Sequence, residues 1–181
     1  TASGDRTVAL GGTAEATADF ALAVGLSARA AGQAGVAIGN SARTGTGTEC
    51  ISIGSNTGSV VSTGARNISI GASALDANTS GADNVSIGRD AMATATTASN
   101  NVSIGNNTCM NLSGGNNNTV VGYGAGSGIT TGASNLVLGL QAGSTLSSGN
   151  SNVLVGAGAD VNSATAASRI VLGSNAVGLV D

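Results

Sequence analysis

The feature that most constrains this chain is a glycine that returns at a nearly constant interval. Gly11, Gly25, Gly39, Gly54, Gly71, Gly88, Gly105, Gly122, Gly139, Gly156 and Gly173 are separated by 14, 14 and 15 residues and then by 17 residues seven times over. The same short phrase leads into each, most clearly Asn-Val-Ser-Ile-Gly ending at Gly88 and again at Gly105. A fixed period in this range marks a solenoid, in which each repeat packs on its neighbours. The alternating β-branched residues before each glycine read as a short strand. The expected fold is therefore all-β: a single-stack parallel β-roll or β-helix solenoid of about 11 coils. The spacing divides it into a lead-in at 1–6, a slim β-roll at 7–53, a wider β-helix at 54–173 and a C-terminal cap at 174–181. Most wide coils carry a second glycine ten residues after the first, at Gly64, Gly81, Gly115, Gly132 and Gly149. These are read as an enlarged turn or a third short side, with glycine supplying positive φ.

Aligning the coils gives columns. One residue before the glycine stand Leu10, Val24, Ile38, Ile53, Ile70, Ile87, Ile104, Val121, Leu138, Val155 and Leu172. Three before it stand Val8, Leu22, Val36, Ile51, Ile68, Val85, Val102, Thr119, Leu136, Val153 and Ile170. Positions i and i+2 of a strand share a face, and these two columns are read as the core. Three after the glycine the column is almost all Ala, which suits a close approach of opposite walls. The middle column then faces outward: Ala9, Ala23 and Ala37, followed by Ser52, Ser69, Ser86, Ser103, Val120, Val137, Leu154 and Val171. It holds no charge, and an exposed stripe of this length invites association. Ser52 to Val171 are accordingly expected to form the interface of a closed homo-oligomer, and Leu154→Arg to break it. Four before the glycine, Asn67, Asn84, Asn101, Asn118, Asn135 and Asn152 predict an internal ladder of stacked amides.

Composition narrows the function classes. There is no His, no Lys, no Trp and no Pro, one Phe and one Tyr, and Gly is 30 of 181 residues. Without His or Lys there is no Ser-His-Asp triad, P-loop or Schiff base. A net charge of −3 leaves no basic footprint for nucleic acid. From Ala91 to Ala159 no side chain is charged. No run of apolar residues is long enough for a membrane-spanning helix. Cys50 and Cys109 lie three coils apart, too far for one disulfide, and are expected to be free. Tyr123 is the one aromatic candidate for an exposed contact. No catalytic residue, cofactor or metal is expected.

The first three coils resemble the head repeat of trimeric autotransporter adhesins, through Val8-Ala-Leu-Gly-Gly-Thr-Ala-Glu-Ala, Leu22-Ala-Val-Gly-Leu-Ser-Ala-Arg-Ala and Val36-Ala-Ile-Gly-Asn-Ser-Ala-Arg-Thr. The wider coils look like the Asn-rich repeats of phage fibres, as in Asn116-Asn-Asn-Thr-Val-Val-Gly-Tyr-Gly-Ala-Gly. The resemblance implies left-handed coils and three chains around a common axis. It implies a non-enzymatic structural or attachment protein: a homotrimeric fibre or capsid-decoration component on a virion surface, contacting other virion proteins or a host receptor or glycan. The alternative is an adhesin head on a bacterial outer surface that binds host matrix or cells. A third reading, from the flat charge-free Ser/Thr/Asn surface, is an ice-binding solenoid.

Overall fold

The computed structural model describes residues 1–58 and 62–178 and contains no helix among them. One parallel sheet of eleven three-residue strands runs its full length, from Val8–Leu10 to Ile170–Leu172, in strict sequence order. Each strand pairs with its counterpart one period on. Val85, Ser86 and Ile87 stand opposite Val102, Ser103 and Ile104, and these in turn opposite Thr119, Val120 and Val121. The columns read from the spacing are thus the actual register. The added residue before Gly54 is absorbed outside the sheet, because Ile38 still pairs with Ile53.

The corners explain why so short a strand can end so often. The repeat glycines hold φ between 126 and 142°. Two further corner columns take left-handed backbone on ordinary residues. Two after the glycine these include Ser27, Asn56, Asp90, Asn107 and Gln141; five before it, Asp83, Asn100, Asn117 and Ser134. Asn and Asp accept this conformation more readily than most side chains, so the Asn- and Ser-rich composition is corner chemistry.

The slim coils have a second strand, with Glu15–Ala16 paired to Arg29–Ala30. In the coils that start at Gly54 to Gly139 the fourth residue after the glycine turns left-handed instead, at Gly58, Leu75, Met92, Cys109, Gly126 and Gly143. This turn opens the third side that three extra residues supply. The second strand returns in the last coils, where Asp160–Val161 pairs with Val177–Gly178. The end of the expected cap, 179–181, lies outside the described residues.

The expectation of positive φ at the second glycines is not met. At these glycines adjacent coils nearly touch, although the same column also holds the buried Ala98 and Ala166. A Cβ on Gly81 would lie 2.1 Å from the carbonyl oxygen of Ala98, and one on Gly115 2.1 Å from that of Gly132.

Candidate functional surfaces

The middle column points into the coil and not out of it. Ser69, Ser86, Ser103, Val120, Val137 and Leu154 are all at most 1% exposed within the single chain. Ser52 and Val171 are buried as well. The expected interface set, Ser52, Ser69, Ser86, Ser103, Val120, Val137, Leu154 and Val171, is therefore interior and cannot meet another chain. The physical reason is room. A coil this slim admits Ala or Ser against the Ala column of the opposite wall, where Ala14, Ala28, Ala42, Ala74, Ala91, Ala125, Ala142 and Ala159 are buried. It cannot admit two rows of Ile and Val.

In the coils from Gly71 to Gly139, where the middle residue grows, another shrinks. Ser69, Ser86 and Ser103 share their coils with Leu75, Met92 and Cys109, whereas Val120 and Val137 share theirs with Gly126 and Gly143. A Cβ on Gly126 would come within 3.1 Å of Val120 Cγ1, and one on Gly143 within 3.1 Å of Val137 Cγ1. Leu112, Ile129 and Leu146 fill the added third side of these coils. This exchange of volume around a fixed interior is the packing expected of a dense core.

The Asn column forms the ladder. Asn118 shows the unit: its Nδ2 donates to Asn101 Oδ1 at 3.1 Å and to the Gly132 carbonyl at 2.9 Å. Its own Oδ1 accepts from the backbone N–H and the Nδ2 of Asn135, each at 3.0 Å. The same pattern links Asn67, Asn84, Asn101, Asn118, Asn135 and Asn152. It ends where the Arg169 backbone N–H donates to Asn152 Oδ1. At the other end Cys50 occupies the ladder position, and its thiol donates to the Gly64 carbonyl at 3.3 Å. Asn118→Ala leaves buried donors and acceptors without partners, each worth about 1–3 kcal/mol. We expect it to lower unfolding stability by about 2–4 kcal/mol, read by denaturant titration; a change within ~0.5 kcal/mol would show the ladder to be incidental.

The flanking columns form the outer face of the long sheet. Val8, Leu10, Ile170 and Leu172 are more than half exposed, and the strands between them are partly exposed at both flanks. Twenty-one of these twenty-two positions are Val, Ile or Leu, Thr119 being the exception, and none is charged. Eleven strands at about 4.8 Å, three residues wide, give an apolar face on the order of 500 Å². That matches the largest patches tolerated on monomers, and such patches commonly have a partner.

The charged groups stay away from this face. Arg66 grips Asp83 in the next coil with two bonds, of 2.6 and 2.8 Å, and this pair holds the Asp83 carboxyl below its usual range. Arg29 reaches Glu15 at 3.3 Å. Both pairs are exposed, so each adds little to stability. Cys50 and Cys109 are free and buried. Burial pushes the Cys109 thiol up to about 12, and the adjoining Ser103 hydroxyl, which makes no well-formed hydrogen bond, offsets this only in part. Neither thiol is therefore a ready nucleophile. Among the described residues no three metal-binding side chains come together, and no helix is long and apolar enough to cross a membrane.

One open groove lies just past the glycine corner, outside the apolar face. Tyr123 forms its wall, with Asn107, Met110, Ser127 and Gln141 around it and Gly124 in its floor. No family model matches the chain, and no characterised protein matches its sequence.

Proposed function

We propose that this protein is a non-enzymatic structural and attachment component: a homotrimeric rod on the surface of a virus particle, of the fibre or decoration kind, that presents repeated corner loops to a host surface. The observation that carries the reading is the long charge-free face, apolar except at Thr119, made by the columns that flank each strand's middle residue. These side chains pack around the common axis, in place of the middle column. The fold alone supports a long rigid scaffold: every coil repeats one register, and damage or load passes only between neighbours. Repetition of the outward loops suits many weak contacts made at once. Three as the number of chains, left-handed coils, and the choice of virion over bacterial surface rest on the resemblance of the repeats to fibre and adhesin-head sequences. The ice-binding alternative is weakened by the hydroxyl column. Thr79, Thr96 and Ser113 each donate to a carbonyl of the next coil, at 2.9, 3.1 and 3.1 Å, and so do not offer those protons to an ice lattice.

The test is assembly. Sedimentation of the purified chain is expected to give a trimer, and Ile87→Arg to give folded monomers. Each copy would bring a charge into an apolar contact, at several kcal/mol per uncompensated ion. A wild-type monomer, or an Ile87→Arg trimer of unchanged stability, defeats the proposal.

A further inference from the structure

The groove beside Tyr123 has a composition that its place in the repeat does not require. Other coils put Arg89, Asn106 and Leu140 at the position of Tyr123. The corner column next to it alternates amide and glycine, as Asn107, Gly124, Gln141 and Gly158. Gly124 leaves a notch between the two amides, whereas the space at Gly158 is taken by the Asn175 side chain. A Cβ on Gly124 would touch only Gln141 Cγ, at 3.6 Å, so the notch is open space. The tyrosine ring stands about half exposed, with Met110 also partly exposed beside it. The Asn107 and Gln141 side-chain amides make no hydrogen bond to another described residue, although their backbone N–H groups are bonded to Arg89 and Tyr123 carbonyls at 2.8 and 2.9 Å. Of the carboxylates flanking it in the stack, Asp160 is engaged by the Ser144 hydroxyl and the Thr145 N–H, each at 2.9 Å, and Asp90, one coil before Asn107 in the same corner column, is paired with Arg89 at 2.8 Å.

We propose that this groove is a binding subsite for a neutral saccharide, which stacks a C–H face on the Tyr123 ring and takes hydrogen bonds from the Asn107 and Gln141 amides. The chemistry fits one ligand class. An apolar ring face next to planar groups that both donate and accept matches a sugar, whose faces are apolar and whose rim is hydroxylated. Tyrosine supplies such contact area with little loss of side-chain freedom. The groove's own lining carries no charge, and Arg89, two coils before Tyr123 in its column, is paired with Asp90 at 2.8 Å, which leaves little to hold an acidic or sulfated glycan. Spacing two amides across two coils sets them about 10 Å apart, so the site addresses more than one sugar ring. The inference rests on the attachment reading for its biological purpose, but the groove is complete within one chain.

The chain carries its own reporter, since Tyr123 is the single tyrosine and there is no tryptophan. Tyrosine emission is followed while maltohexaose, cellohexaose, mannohexaose and chitohexaose are added, with a heparin hexasaccharide as the anionic probe. At least one neutral hexaose should give a saturable change with a Kd of about 1 mM or tighter, and heparin none. Gly124→Asn should weaken that binding at least about tenfold by filling the notch. The same corner already carries Asn56, Asn107 and Asn175 with positive φ, so the variant keeps a backbone that its fold accepts. Three results overturn the proposal: no response to any neutral hexaose up to about 10 mM, unchanged binding in Gly124→Asn, or emission that follows protein concentration without sugar, which would place a second copy in the groove. A monomer that binds sugar defeats the trimeric rod alone; a trimer that ignores sugar defeats the subsite alone.

Discussion

Leu154→Arg is expected to unfold the C-terminal coils and not to separate folded chains. Leu154 has no exposed surface, and its strand pairs on both sides, with Val137 and Val171. Truncating such a leucine costs about 2–5 kcal/mol from lost burial and cavity. Replacing it with a guanidinium adds several kcal/mol for an ion with no partner in an apolar interior. Asp160 is the nearest acidic group in sequence, but it is held at the surface by Ser144 and Thr145. The sum exceeds what a few coils can supply, and coils touch only their neighbours. Exchange protection should therefore vanish from about the Val137 strand onward while the N-terminal coils keep theirs. Far-ultraviolet circular dichroism should lose only part of its strand signal. A variant with full strand signal and only a smaller sedimentation coefficient would mean that the middle column is an interface after all. Ile87→Arg, on the outer face of the same sheet, should show that second behaviour.

The contrast between these two sites shows where sequence reasoning stopped. The period of 17 and the columns it aligns made the strand positions, the parallel register and the Asn column legible. A strand's alternation, though, assigns residues to two faces without saying which face is inward. Usually a polar face settles that. Here both faces lack charge, and the bulkier one looked like the core. The deciding signal was volume exchange within the coil, with Ser86 beside Met92 and Val137 beside Gly143. Residues that trade size must share one enclosed space, so that pairing alone marks the middle column as interior. The groove was legible only as an exposed Tyr123. Its depth depends on Gly124, whose turn geometry no single position announces.

The ladder and the core are two answers to the same demand. The interior of a narrow coil holds backbone as well as side chains, and buried carbonyls need donors. The carbonyls of Gly81, Ala98, Gly115, Gly132, Gly149 and Ala166 each receive one from an Asn amide. That is why the wide coils keep Asn at this position, while the slim coils, with Thr7, Ala21 and Gly35 there, do without it.

Gly122→Ala is expected to be nearly as damaging as a core charge, for a reason that lies wholly in the backbone. Gly122 has φ of 136°, where L side chains are strained by about 1–3 kcal/mol. The added Cβ would also sit 2.4 Å from the Gly139 carbonyl oxygen and 2.7 Å from its carbon. Those atoms belong to the next coil, whose strand is pinned by the bond from the Gly139 N–H to the Val121 carbonyl at 2.9 Å. They cannot yield without lengthening the stack. The combined loss should be about 3–5 kcal/mol in denaturant unfolding. Gly173 separates the two contributions. Its φ of 126° carries the same strain, but a Cβ there would meet only Ala176 Cβ, at 3.7 Å. Gly173→Ala should therefore cost only the strain, about 1–3 kcal/mol. If the two variants lose equal stability, the close approach of successive coils is not what keeps the column glycine, and backbone angle alone explains the repeat.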